Sequence, residues 1–387
     1  MASTASTWYL LLLLAFSFML LTEAAQQNVS LTFVDHAVEK GAVCLDGSPS
    51  VYYFDQGEGQ GLDNWLIFLE GGGWCSNQSE CKERSESKYG SSTLRDQYRD
   101  FEASLLSNDS QENPKFYNWN RVYVPYCDGS SFTGNTEAAD SVTNVTYRGL
   151  RIFEATMADL LAKGMEQAQN ALLSGSSAGG VAAFVHCDRF RDLLPITAQV
   201  KCLSLASYFL HMDDSMGGGY FENAFEALIT LHGSTEALPS LCTSIMSRPS
   251  LCFFPQYLTS YVKTPTFIAM SSFDHIQIRY NLSPAHETCL LNFNCTLEQK
   301  RAIQDLRWDL FQALPKAHPF VRGFWFTHCI AHELPYNWND VKKMESIMGD
   351  ETLPRVFDDW YFNYQYLQVI DSSDEPRNCS DIGISPT

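Results

Sequence analysis

The chain is short of positive charge. Its 387 residues hold 26 Lys and Arg against 45 Asp and Glu, a formal net charge of -19, which repels phosphate backbones and argues against a nucleic-acid partner. No two cysteines stand at the two-residue spacing of a zinc knuckle, so thiolate metal binding is set aside. There is no internal repeat, no low-complexity tract and no linker. Beyond the first two dozen residues no apolar run is long enough to span a bilayer. The first run, Trp8 to Leu21, has no Lys or Arg ahead of it and ends at small residues around Ala24 and Ala25. It is too short for a comfortable span and reads as a signal peptide over residues 1–24, cut after Ala24.

An exported chain meets an oxidising compartment, where thiols pair. Twelve cysteines are present, and the short separations Cys75 to Cys81, Cys242 to Cys252 and Cys289 to Cys295 suggest three local loops. Sequons at Asn28, Asn77, Asn108, Asn144, Asn281, Asn294 and Asn378 fit a glycosylated, secreted protein. With 45% hydrophobic residues the mature chain can bury a large core. Residues 25–387 read as a single domain.

That domain alternates strands and helices. Trp65 to Leu69 and Arg121 to Tyr126 are buried-strand runs, and Ala171 to Leu173, Thr266 to Met270 and Gly323 to Phe326 repeat the pattern. Between them Leu150, Phe153, Met157, Leu160 and Leu161 recur at helical spacing, with Lys163-Gly164 as a stop. The expected class is α/β: an α/β-hydrolase-like (flavodoxin-like), mostly parallel sheet with helices on both faces, held by disulfides. A polar stretch near 82–115 reads as a surface insertion, and the acidic tail from about 371 as poorly ordered except where Cys379 tethers it.

Three places carry chemistry. Gly175-Ser-Ser177-Ala-Gly179 follows a strand and opens a helix, the setting of a nucleophile elbow. The competing reading, a phosphate-cradling turn, lacks the lysine that would follow its glycines. Gly71-Gly72-Gly73 follows an earlier strand, and the amides of Gly72, Gly73 and Ala178 are candidates for an oxyanion hole. In such folds the acid and the base follow the serine in the chain. Asp274, just past a strand, is the candidate acid, with Asp213 or Asp214 as competitors and a helix N-cap as its bland role. His328 and His332 share the loop after the last core strand, and the residues alone do not separate them as base. A hydroxyl, an imidazole and a carboxylate suffice for ester hydrolysis, so no metal or organic cofactor is expected.

Together with the segments Phe116 to Gly134 and Ser250 to Tyr257, these motifs resemble the plant pectin acetylesterases over about Leu31 to His332, most of the mature chain. The wider group includes the animal enzyme Notum, which removes a fatty acyl group from Wnt proteins. The resemblance implies a serine carboxylesterase acting on acetylated pectin in the cell wall. It maps the nucleophile to Ser177 and the acid to Asp274, and it selects His332 over His328. A monomer with no nucleic-acid or membrane partner is expected. Three departures stand out: Ser176 stands where plant members usually carry cysteine and Glu333 where they often do, both more like Notum, and Leu205 and Ser207 replace a usual Asp and Gly. A Notum-like deacylase for longer acyl chains and an inactive wall carbohydrate-binding protein are the alternatives.

Overall fold

The structure is a computed structural model that describes residues 28–101, 105–212, 219–334 and 348–380. The expected signal peptide, Asp213 and Asp214 lie outside the described residues. Among the described residues ten strands form one sheet: β1 (Asn28–Phe33), β2 (Val51–Asp55), β3 (Asn64–Leu69), β4 (Tyr98–Asp100), β5 (Asn120–Val124), β6 (Asn170–Ser176), β7 (Gln199–Leu205), β8 (Thr266–Phe273), β9 (Arg322–Ile330) and β10 (Gln368–Ile370). Their order is β10-β9-β8-β7-β6-β3-β5-β2-β1-β4. From β10 to β5 every pair is parallel, whereas β2, β1 and β4 close the far edge antiparallel. The expected mostly parallel α/β sheet is therefore what forms.

Strand alternation divides the apolar side chains between two faces. Ile67, Leu69, Ala171, Leu173, Ile268 and Met270 pack on one face with helices α1 (Gly149–Ala162) and α2 (Ala178–Asp192). Leu66, Phe68, Leu172, Phe267, Ala269 and Trp325 pack on the other with α4 (Leu353–Tyr361). A sheet covered on both faces needs apolar residues at consecutive positions, which is why these strands read as unbroken runs. Helix α1 ends at Lys163, after which Gly164 takes φ 114°, a left-handed conformation suited to glycine.

Strand β7 departs from the apolar rule at its centre. Lys201 in the middle of β7 is buried, and its ammonium donates to the Trp360 carbonyl at 2.6 Å and to Asn363 Oδ1 at 2.7 Å while lying 4.4 Å from the Trp360 ring centroid. Burial lowers its pKa to about 7.

All twelve cysteines pair, in the bonds Cys44–Cys127, Cys75–Cys81, Cys187–Cys202, Cys242–Cys252, Cys289–Cys295 and Cys329–Cys379. The three local loops expected from spacing are among them. The polar segment near 82–115 supplies edge strand β4 together with Arg84 and Arg95, both of which reach back to the glycine loop. Near the tail, β10 pairs with β9, His328 hydrogen-bonds Asp371, and Arg307 meets Asp374 at 2.7 Å. Of the seven sequon asparagines, Asn281 is fully buried and donates to the Leu210 carbonyl, which leaves no room for a glycan in the folded chain.

Candidate active site

The parallel strands deliver their carboxyl ends to one edge of the sheet, where α/β folds gather ligands. Ser177 follows β6 there and takes φ 54°, ψ -124°, a conformation costly for a residue with a Cβ. The turn is held because the Ser177 amide donates to the Leu205 carbonyl at 2.9 Å, while Ser177's own carbonyl accepts from Gly180 and Val181 in the first turn of α2. Gly179 is required for close approach, since a Cβ there would collide with the Leu69 and Glu70 carbonyls.

Asp274 follows β8, and His332 lies just beyond β9. The structure brings all three together. His332 Nε2 is 2.9 Å from Ser177 Oγ, and His332 Nδ1 is 2.8 Å from Asp274 Oδ2. Asp274 both caps a helix and faces His332, through different oxygens. Oδ1 accepts the Gln277 amide at 2.9 Å and caps helix α3 (His275–Asn281), while Oδ2 faces His332. His328, the alternative histidine, does not lie in the loop as expected: β9 runs on to Ile330, so His328 is part of the strand, and it pairs with Asp371.

Burial disfavours a charged imidazole at position 332, but the Asp274 charge and hydrogen bond, with help from Glu333, more than offset it. The His332 pKa is held above its ordinary value. Asp274 also has a partly buried neighbour, His275, whose Nδ1 meets Glu287 at 3.0 Å.

The glycine loop lies opposite the helix start. Among the described residues nothing accepts a hydrogen bond from the Gly72 or Gly73 amide. Ala178 supplies the first amide of α2, one of the four that a helix leaves without an internal partner. Gly72 has φ 141° and Gly73 φ 70°, and a Cβ on Gly72 would stand 2.8 Å from the Tyr89 ring. Arg84 donates to the Gly72 carbonyl at 2.8 Å, and the Glu70 side chain accepts the Tyr126 amide at 2.7 Å. Among the described residues the two glycine amides are without acceptors while the Gly72 carbonyl is tied down.

Several supporting residues were not found by sequence reasoning. Ser131 Oγ donates to the Ala178 carbonyl at 2.7 Å and accepts from Trp74 Nε1 at 2.8 Å, tying the two candidate oxyanion segments together. Ser131 and Phe132 both have φ near 56°, and buried Asp128 holds them there by accepting from the Ser130 amide and hydroxyl and from the Phe132 amide. The one available signal was the polar run Cys127 to Gly134 directly after a strand, a loop at the functional edge of the sheet. Beside this loop the Trp74 ring packs edge-on against Phe209, Phe225 and Phe253 at 5.0 to 6.3 Å, and Phe209 stands 6.1 Å from the His332 ring. Leu205 points the other way, into the cluster with Leu203 and Trp325, so the departure there touches the site only through its carbonyl.

The sequence model of the pectinacetylesterase family matches residues 22–380. The chain belongs to this family. Pectin acetylesterase 11 of Arabidopsis thaliana is 41% identical over 372 residues, covering 93% of this chain and 92% of that protein. Pectin acetylesterase 7 of the same plant is 42% identical, covering 89% and 90%. The palmitoleoyl-protein carboxylesterase notum1a of Danio rerio is 29% identical over 89% of this chain and 68% of its own length. In three dimensions the Wnt deacylase Notum from Drosophila superposes with a TM-score of 0.74 at 22% identity, covering 89% of this chain and 97% of that one. The fold is Notum-like, and the pectinacetylesterase-family chain is a carboxylesterase.

Proposed function

We propose that this carboxylesterase removes O-acetyl groups from cell-wall pectin through an acetyl-enzyme intermediate on Ser177. The observation that carries the chemistry is His332 standing within hydrogen-bond reach of both Ser177 Oγ and Asp274. His332 Nε2 takes the Ser177 proton as Oγ attacks the ester carbonyl. The amides of Gly72, Gly73 and Ala178 bond the oxygen on which negative charge builds. His332 then passes the proton to the departing sugar alkoxide, leaving Ser177 acetylated. Water attacks next, giving its proton to His332, and acetate leaves as Ser177 recovers a proton. Asp274 fixes the imidazole tautomer and supports the imidazolium.

Relatives that share 41% and 42% identity and are named for pectin support the substrate, and the close aromatic packing next to His332 supports a short acyl group. A longer acyl group is the second reading, favoured by Ser176 and Glu333, where this chain departs from the plant pattern toward Notum. Residues 1–24 act as a signal peptide in this proposal. The mature monomer works outside the cell as one domain.

The deciding experiment is acetate release from acetylated pectin and from triacetin by wild type and by Ser177→Ala. Release from both by wild type and from neither by the variant is the expected result. Faster release of octanoate than of acetate from matched esters would instead establish the longer-chain reading.

A further inference from the structure

A chain of net charge -19 repels a polyuronate at long range. A pectin substrate therefore needs a local place for its carboxylates. Cationic and aromatic side chains lead from the oxyanion loop to an outer groove. Tyr89 packs on Gly72, and its ring is flanked by Arg84 at 5.3 Å, Lys88 at 5.3 Å and Arg95 at 5.6 Å. Just beyond lies a polar cavity of about 290 Å³ between Tyr53, Lys88 and the strand β4, with Arg99 and Tyr98 on its wall.

The cations of this groove are not equivalent. Arg95 is committed to Glu70 and Arg84 to backbone carbonyls. Lys88 is exposed, and Arg99 lies flat on Tyr123 with its guanidinium carbon 3.5 Å from the ring centroid. Among the described residues neither Lys88 nor Arg99 makes an ion pair. Asp96 and Asp100 face the same cavity. Such carboxylates accept hydrogen bonds from sugar hydroxyls, and exposed Tyr98 offers a flat apolar face to a pyranose ring.

We propose that this groove is a subsite for the pectin backbone in which Lys88 and Arg99 bind uronate carboxylates one or more sugars away from the acetylated residue. The mixture of two uncommitted cations, two carboxylates and tyrosine fits an anionic sugar, which presents both carboxylates and hydroxyls. It does not fit an acyl chain. The assignment rests on the pectin reading above.

Isothermal titration of a galacturonate oligomer into the full protein tests it, with a neutral galactan oligomer as comparison. Wild type binds the galacturonate more tightly than the galactan and loses affinity as salt rises. Lys88→Gln/Arg99→Gln weakens galacturonate binding about tenfold or more, the size expected for losing charge-assisted hydrogen bonds. Equal binding by wild type and variant, or no preference of wild type for the charged oligomer, overturns the proposal. Circular dichroism melting checks the variant's fold, and the single Lys88→Gln, at an exposed position, keeps the test open if the double variant does not fold. Acetate release from acetylated pectin is measured separately. If release fails while binding persists, the catalytic reading falls and the subsite stands; if release persists while binding fails, the reverse holds.

Discussion

The Glu70 carboxylate and the Arg95 guanidinium meet at 2.6 Å beneath the glycine loop, both nearly buried, and both also bond the backbone of Tyr126. The pair fixes the start of the loop to the end of β5. Removing one partner strands a buried charge, at a cost of about 3–5 kcal/mol. Arg95→Met is therefore expected to lower both the thermal midpoint and kcat on triacetin. Glu70→Gln combined with Arg95→Met recovers much of the stability and little of kcat, because the loop is no longer clamped. An unchanged kcat in the single variant would mean that the loop is held by Arg84 alone.

The pH dependence follows from His332. Its pKa is raised, so the neutral form needed to accept the Ser177 proton is lost as pH falls through a value above the ordinary histidine range. The acid limb of kcat/KM on triacetin should lie above about pH 6.5, the reference value for histidine. Asp274→Asn removes the group that raises the pKa, so the limb moves to lower pH while kcat drops roughly 10⁴-fold. A limb that stays in place in this variant would assign the titration to another group.

Asp128 predicts an opposite trend in stability. Burial raises its pKa to about 6 against a reference of 3.8, despite three hydrogen bonds that favour the charged form. The folded state holds a proton that the unfolded chain has already released. This contribution is full below about pH 4 and is lost as pH rises through about 6. Asp128→Asn keeps one accepting oxygen for the Ser130 and Phe132 amides and flattens urea-unfolding free energies across that window. Asp128→Ala, which leaves those amides without a partner, should destabilise the fold and lower kcat.

In the proposed reading, acyl-chain preference is expected to depend on Phe209. Its ring fills the space between Trp74 and His332. Phe209→Ala opens a cavity, with a stability cost of about 3–5 kcal/mol. The ratio of kcat/KM for butyrate over acetate p-nitrophenyl esters should rise in this variant. A ratio that does not move would place the acyl group elsewhere.

Much of the sheet was legible because a strand buried on both faces leaves an unbroken apolar run, as in Trp65 to Leu69. β7 was not, since Lys201 interrupts it and is satisfied only by Trp360 and Asn363, about 160 positions away. β1, β2 and β4 also went unread as the antiparallel edge. β4 is three polar residues whose pairing depends on β1, some seventy positions earlier. At the candidate site, glycine spacing marked the Ser177 turn and the Gly72 loop, since close approach leaves few residue types open. The choice between His328 and His332 did not emerge from local pattern. It depends on β9 running on through His328 to Ile330, so that His332 lies just past the strand, and on Asp371 capturing His328. The Ser131 bridge and the Glu70–Arg95 pair join positions 25 to 57 apart and have no local signature.

The bond between Cys329 and Cys379 has a consequence for biosynthesis. Cys379 follows every other cysteine in the chain, and Cys329 sits three residues before His332. During vectorial synthesis the other five cross-links can close while the strand that leads into the histidine loop still carries a reduced thiol. The segment holding Ser177 is thus stapled early, and the segment holding His332 is secured last. In the proposed mechanism, a chain lacking this last bond would hold the hydroxyl in place without an anchored imidazole, so competence for ester cleavage is expected to arrive with the final oxidation.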